Sequence, residues 1–145
     1  MFSKITVPLD GSALAEGILD QVEKLAHMQG GKIQLLRVAF PASLPGVETE
    51  EYQLKHVRKA EEYLEKIAAD LERKGLTVST HVRSGNPAEE ILAHAERYSS
   101  VIVMTTHGGG GFSRWAMGSV ADKVIRRSVK PVLLIRAVKT KEEKR

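Results

Sequence analysis

The stretch VIVMTTHGGGGFSRWAMGSV, residues 101–120, joins an apolar run to four consecutive glycines and then to a segment with a helical pattern. Residues 101–104 are apolar without interruption, as expected for a central parallel strand that is buried on both faces. Glycines directly after such a strand lie at its carboxyl end, which is the edge where open α/β sheets bind ligands. The stretch therefore predicts a parallel α/β fold with a ligand site at the carboxyl end of this strand.

The segments on both sides alternate between the apolar pattern of strands and the apolar spacing of helices. Runs typical of strands alternate with apolar residues at helical spacing, and glycine or proline separates them. Five strands separated by four helices predict one open, mostly parallel sheet with helices on both faces. The predicted strands are 4–9, 33–38, 76–82, 101–104 and 131–136, and the predicted helices lie within 14–29, 57–74, 87–98 and 120–127.

Length and composition indicate a single soluble domain. The chain has 145 residues, 42% hydrophobic and 28% charged, and no apolar run of the roughly 18 residues that a membrane span needs. The first residues lack the features of a secretory signal, so we expect a cytoplasmic protein. Without cysteine, disulfides and thiolate metal sites are excluded. We expect a domain over 1–138 and a solvated, charged tail over 139–145, which carries much of the net charge of +4 and is not expected to bind nucleic acid.

The glycine-rich stretch has the chemistry of a phosphate site. Backbone N–H groups free of side chains, beside a helix N-terminus, attract phosphate. The stretch is neither a Walker loop nor a Rossmann fingerprint, because Gly111 is followed by Phe112-Ser113-Arg114. A phosphate cradle and a plain flexible loop both fit the residues. Ser119 with Asp122 also matches a helix capping box.

Other candidate residues are less specific. Asp10 follows the first strand and opens on the same edge, although aspartate before Gly11 is also a common turn residue. His107 fits a loop residue better than a proton-transfer group, and Trp115 fits a buried anchor better than a base-stacking platform. The remaining histidines lie at no metal-ligand spacing, which argues against a metal site formed by side chains: His27, His56, His81 and His94.

Four segments resemble the universal stress protein family in its nucleotide-binding branch. They are ITVPLDGS at 5–12, GNP at 85–87, KPVLLIR at 130–136 and the family's ATP motif. In that motif Gly108 is followed by nine residues, then by Gly118 and Ser119, while Thr105 stands where the family has its first glycine. The resemblance covers nearly the whole chain.

This resemblance implies an adenine nucleotide α-hydrolase-like fold with strand order 3-2-1-4-5, and a homodimer. It also implies bound ATP, with Mg²⁺ carried on the phosphates. Asp10 and Val38 would border the adenine, and Pro8 and Thr105 the ribose. The phosphates would lie on Gly108, Gly118, Ser119 and Val120. The full expected set for the nucleotide is Pro8, Asp10, Val38, Met104, Thr105, Gly108, Gly118, Ser119 and Val120.

The expected function is a nucleotide-dependent stress-response regulator or sensor. We predict no catalytic residue, since no nucleophile lies beside an obvious base. Two alternatives stay open, namely a slow ATPase or nucleotide hydrolase, and a dimeric interaction module that binds AMP, cyclic AMP or no nucleotide. The apolar strand 131–136, expected at the sheet edge, is the predicted dimer contact.

Overall fold

The fold is a five-stranded parallel sheet with helical crossovers, in a computed structural model that describes residues 3–39, 50–106 and 117–136. Each strand pairs in parallel with its neighbours, in the order β3-β2-β1-β4-β5. The predicted fold class and strand order are confirmed. In chain order the elements are β1 (Lys4–Pro8), α1 (Ala13–Glu16), α2 (Leu19–Gln29), β2 (Lys32–Ala39), α3 (Glu50–Arg73), β3 (Val78–Ser84), α4 (Pro87–Tyr98), β4 (Val101–Thr106), α5 (Met117–Arg127) and β5 (Val132–Arg136).

Helices cover both faces of the sheet. The chain crosses from β1 to β3 in one direction and from β3 to β5 in the other, so right-handed crossovers put α1, α2 and α3 on one face and α4 and α5 on the opposite face. Side-chain contacts of β2 agree with this. The guanidinium of Arg37 lies 5.7 Å from the ring centre of Tyr63 on α3, whereas Gln34, on the other face of the strand, contacts His94 on α4.

The central strands carry the core. β1, β2 and β4 are buried on both faces over most of their length, as their apolar sequences predict. One row across the sheet is polar, because Thr6, Gln34 and Ser79 are neighbours in register across β1, β2 and β3. Thr6 and Gln34 are buried, whereas Ser79 is exposed. Within the described ranges, no helix combines the length and the hydropathy needed to cross a bilayer.

Several element boundaries differ from the sequence prediction, and the largest difference is at α3, which begins at Glu50, seven residues before the predicted range. The first helix is divided into α1 and α2 at Gly17, where glycine lowers helix propensity by about 1 kcal/mol. β3 begins at Val78 and not at Leu76, because the Leu76 amide still bonds to Leu71 in the turn that closes α3. α5 begins at Met117, earlier than the apolar spacing indicated.

Candidate functional site

The sheet opens at the carboxyl ends of β1 and β4. β1 pairs with β2 along five positions as far as Pro8, but its register with β4 covers only Ile5↔Val101 and Thr6↔Ile102. This is also where the strand order reverses, because the chain leaves β1 toward β2 and returns to its other side as β4. The crevice between these strand ends is the position where open α/β sheets bind ligands.

Asp10 lies at this edge with one carboxylate oxygen held and the other unpaired. It is 8% exposed, two residues after β1. Its Oδ1 accepts hydrogen bonds from the Ser12 amide at 2.9 Å and the Ser12 hydroxyl at 2.5 Å, and Ser12 Oγ in turn caps α1 by accepting from the Ala15 amide at 3.1 Å. Among the residues that the structure describes, the buried Oδ2 has no hydrogen-bond partner. A buried acceptor without a donor costs free energy, so Oδ2 is suited to a donor supplied by a ligand.

Charged and aromatic side chains surround Asp10, and sequence reasoning missed them. Arg37 packs so closely on Gly11 that a Cβ built there would lie 2.9 Å from Nη1. Burial raises the pKa of Glu16, an effect that the nearby Tyr63 hydroxyl opposes and the Asp10 charge reinforces. Burial likewise raises the pKa of Tyr63. Arg37 is on β2, Glu16 on α1 and Tyr63 on α3. Only Glu16 is therefore close to Asp10 in the sequence.

The first turn of α5 supplies hydrogen-bond donors. Gly118, Ser119 and Val120 are its second to fourth residues, and the first four N–H groups of a helix have no partner within it. Ser119 is exposed and Gly118 is half-buried. Such a turn attracts anions through its free N–H groups and its partial positive charge. The predicted capping box is wrong, since Ser119 is already inside the helix and Asp122 pairs with Arg126.

The other predicted site residues occupy the strand ends. Pro8 ends β1, Val38 lies one residue before the end of β2, and Met104 and Thr105 lie near the end of β4. All four are buried, and the Thr105 hydroxyl donates to the Thr106 carbonyl at 2.9 Å. The fold thus places Pro8 and Asp10, at and just beyond the end of β1, next to the end of β2 that carries Val38. The predictions on Gly108, His107, Trp115 and the tail 139–145 lie outside the described residues.

Two histidines that are distant in the sequence are neighbours in the fold. His81 on β3 and His94 on α4 lie with their ring centres 4.7 Å apart. His94 falls on the buried side of α4 with Ile91 and Ala95, and this spacing was the available signal. In the parts of the chain that are described, no three histidine or carboxylate side chains gather as metal ligands.

The family model of the universal stress protein family matches residues 1–136. The chain belongs to the universal stress protein family. Universal stress protein YxiE of Bacillus subtilis is 35% identical, over 94% of this chain and the whole of YxiE. The solved structure of the family member MJ0577 from Methanocaldococcus jannaschii superposes with a TM-score of 0.80 at 32% identity, covering 97% of this chain and 99% of that one.

Two more distant universal stress proteins have been solved with adenine nucleotides. One is a complex with cAMP, at a TM-score of 0.65 and 18% identity, covering 94% of this chain and 98% of that one. The other, from Archaeoglobus fulgidus, is a complex with dAMP, at a TM-score of 0.69 and 21% identity, with coverages of 93% and 98%. At these identities the likeness concerns the fold.

Proposed function

We propose that this universal stress protein binds ATP in the crevice between β1 and β4 and acts as a nucleotide-dependent regulator in the cytoplasm. The observation that carries the proposal is the buried, unpaired Oδ2 of Asp10 at the strand edge. An exocyclic amino group of adenine is a donor of the kind that this oxygen lacks. The cAMP and dAMP complexes support the choice of base, because they show two proteins of the same fold holding adenine nucleotides.

The phosphates would lie on the first turn of α5 and on Gly108. Gly118, Ser119 and Val120 present N–H groups in that turn, which suits an anionic group. The described residues form no cluster of carboxylates that would hold a metal ion by themselves. Mg²⁺ would therefore bind through the phosphate oxygens, which is its usual mode in nucleotide sites.

Pro8, Val38, Met104 and Thr105 would form the walls around the base and the ribose. Their positions at the ends of three adjacent strands support this assignment. The Thr105 hydroxyl donates to its neighbour's carbonyl, so it offers a ligand no free donor in this conformation.

Titration calorimetry of the wild type and Asp10→Asn tests the base contact. The asparagine keeps an oxygen for the Ser12 cap but replaces the Oδ2 acceptor by an amide donor, so we expect roughly 10- to 100-fold weaker ATP binding. The matched control is Asp20→Asn, because Asp20 is exposed. Equal affinity of the wild type and Asp10→Asn would refute the assignment. Titrations with ADP, AMP and cyclic AMP, with and without Mg²⁺, distinguish ATP from the alternative ligands.

Gly118→Val tests the phosphate contact separately. A valine side chain in the first turn of α5 would crowd an anion at that turn, so we expect weaker ATP binding with little change for adenosine, which has no phosphate. Lys123→Val introduces the same side chain at an exposed position of the same helix and serves as the control. An unchanged ATP affinity in Gly118→Val would remove α5 from the site.

We also propose that two copies pair through β5. Within the described part of the chain, β5 pairs only with β4, so its outer backbone edge has no strand beside it. Leu133 on this strand is 43% exposed, and Ile125 and Val129 near it in the chain are exposed as well. An unprotected edge strand with apolar side chains is suited to a two-fold contact with an identical strand.

A further inference from the structure

A directed chain of hydrogen bonds ties α4 to the sheet, at positions that the nucleotide proposal does not involve. Thr6 Oγ1 donates to Gln34 Oε1 at 3.2 Å, so the contact of 2.6 Å between Thr6 and Ser100 must be donated by the Ser100 hydroxyl. Nε2 of His94 lies 3.1 Å from the same Gln34 oxygen and therefore carries a proton. All four residues are buried, His94 at 2% exposure.

The other nitrogen of His94, Nδ1, is buried and has no hydrogen-bond partner within the described ranges. In the neutral ring with Nε2 protonated it is an unprotonated acceptor. A second proton on this ring would be a buried N–H without an acceptor, on a cation that has lost its water. The geometry of the docked helix therefore admits only the neutral ring.

Basic and aromatic groups surround this ring. His81 and Tyr98 contact it with ring centres at 4.7 and 4.6 Å. Burial, followed by the charges of His81, Arg83 and Arg97, lowers the pKa of His94 to about 4, and burial with Arg83 lowers the pKa of His81.

The neighbouring elements, as far as the structure describes them, add no carboxylate to the charges that act on the ring. Lys4 and Lys32 lie two residues before Thr6 and Gln34 and therefore on the same face of the sheet. Glu90, one helical turn before His94, reaches instead toward Gly85. The charged side chains of α5 are exposed: Asp122, Lys123, Arg126 and Arg127.

We propose that His94 is a proton-triggered latch: its neutral ring ties α4 to β1 and β2, and a second ring proton releases α4 from that face of the sheet. The device would respond to acidification. It is independent of whether the protein binds ATP.

The sign of the effect follows from proton linkage. The folded pKa of about 4 lies below the unfolded value of 6.5, so the released state binds the proton more tightly. The docked helix keeps its full stability above the unfolded pKa and loses it as the pH falls from 6.5 toward 4. Inside this window the opening equilibrium should rise about tenfold for each pH unit.

Hydrogen–deuterium exchange of the α4 amides, without nucleotide and corrected for the intrinsic exchange rate, tests the latch. Between pH 6.5 and about pH 5, before most carboxylates titrate, protection of α4 in the wild type should fall by about 15-fold. His94→Gln keeps a donor toward Gln34 but cannot be charged, so its α4 protection should not fall in this way. His27→Gln, at an exposed histidine on α2, should behave as the wild type.

Three outcomes would overturn the proposal. The first is pH-independent protection of α4 in the wild type, and the second is an equal fall in His94→Gln. The third is an equal loss of protection in α3, which would mean global unfolding and not release of one helix.

Histidine titration by NMR in the wild type needs no variant and gives a second test. We expect the His94 ring to titrate well below pH 6, and a His94 resonance that titrates near pH 6.5 in the folded protein would overturn the latch. Arg83→Gln removes one neighbouring charge, so it should raise the pKa of folded His94, bring it closer to the unfolded value and make the total loss of α4 protection at low pH smaller.

Discussion

Gly11 shows how strictly one residue is constrained beside the proposed nucleotide site. Its φ of +86° lies in the left-handed region, and a Cβ would meet Arg37 Nη1 at 2.9 Å. We predict that Gly11→Ala lowers the free energy of unfolding by about 1–3 kcal/mol through backbone strain, with a further loss from displacing Arg37. Urea denaturation measures the change.

Gly30→Ala separates these two costs. Gly30 also has a positive φ of +64°, but nothing lies within 4 Å of its Cβ position. Alanine there should cause only the strain, so the loss at Gly11 should be the larger one. Equal losses would mean that Arg37 moves aside freely and does not constrain the Asp10 turn.

At the residue scale, the sequence indicated Asp10 as a candidate site residue but did not indicate the side chains that surround it. Asp10 stands out because it follows an apolar strand and precedes a turn glycine. Arg37 and Tyr63 could not be assigned to it, since their contact depends on where α3 crosses β2. The meeting of His81 with His94 depends in the same way on how α4 packs on the sheet.

Among the elements, α4 has the start that its sequence predicts. Asn86 is its N-cap, accepting from the Glu89 amide at 3.2 Å, and Pro87 opens the first turn. We predict that Asn86→Ala destabilises the protein by about 1 kcal/mol, because the Glu89 amide loses its acceptor. The shift of the urea midpoint is the measurement.

Asn86→Asp is the matched control for this cap. The carboxylate keeps the acceptor and adds a negative charge at the positive end of the helix, so the stability should stay near that of the wild type. If the alanine and aspartate variants lost the same stability, the side chain would matter for another reason than capping.

Element boundaries were harder to predict than the elements themselves. Hydrophobic spacing marked every strand and helix, but Leu76 is apolar and still belongs to the turn after α3. The start of α5 at Met117 could not be predicted either, because Met117 and Gly118 are not typical residues for the start of a helix. Local hydrogen bonds, which spacing does not encode, set these ends.

For the whole molecule, the dimer proposal predicts a change in mass. Leu133→Lys places a charge on the exposed side of β5, so it should shift a dimer toward monomer without disturbing the core. Met28→Lys puts the same charge at an exposed methionine on α2 and should leave the assembly unchanged. Sedimentation velocity at micromolar concentration gives both results, and a monomeric wild type would contradict the proposal.

The fold could be predicted almost completely, for a physical reason. Strands buried on both faces and helices with one apolar stripe leave few arrangements, and right-handed crossovers reduce these further. The alternation of elements thus gave the fold class, while the strand order came from the family resemblance. The pairing of β1 with β4 illustrates why, since no local pattern links Ile5 to Val101.

That pairing has a consequence for how the chain is made. β1 precedes the other four strands in the chain and is the middle strand of the finished sheet, whereas its partner on one side, β4, leaves the ribosome only after α4. Until then one backbone edge of β1 stays open beside the apolar Ile5 and Val7, which invites pairing with other chains. Contacts between such distant segments also slow folding. Cotranslational folding can therefore assemble β1, β2 and β3 early, but the core of this sheet closes only after β4 has been synthesised.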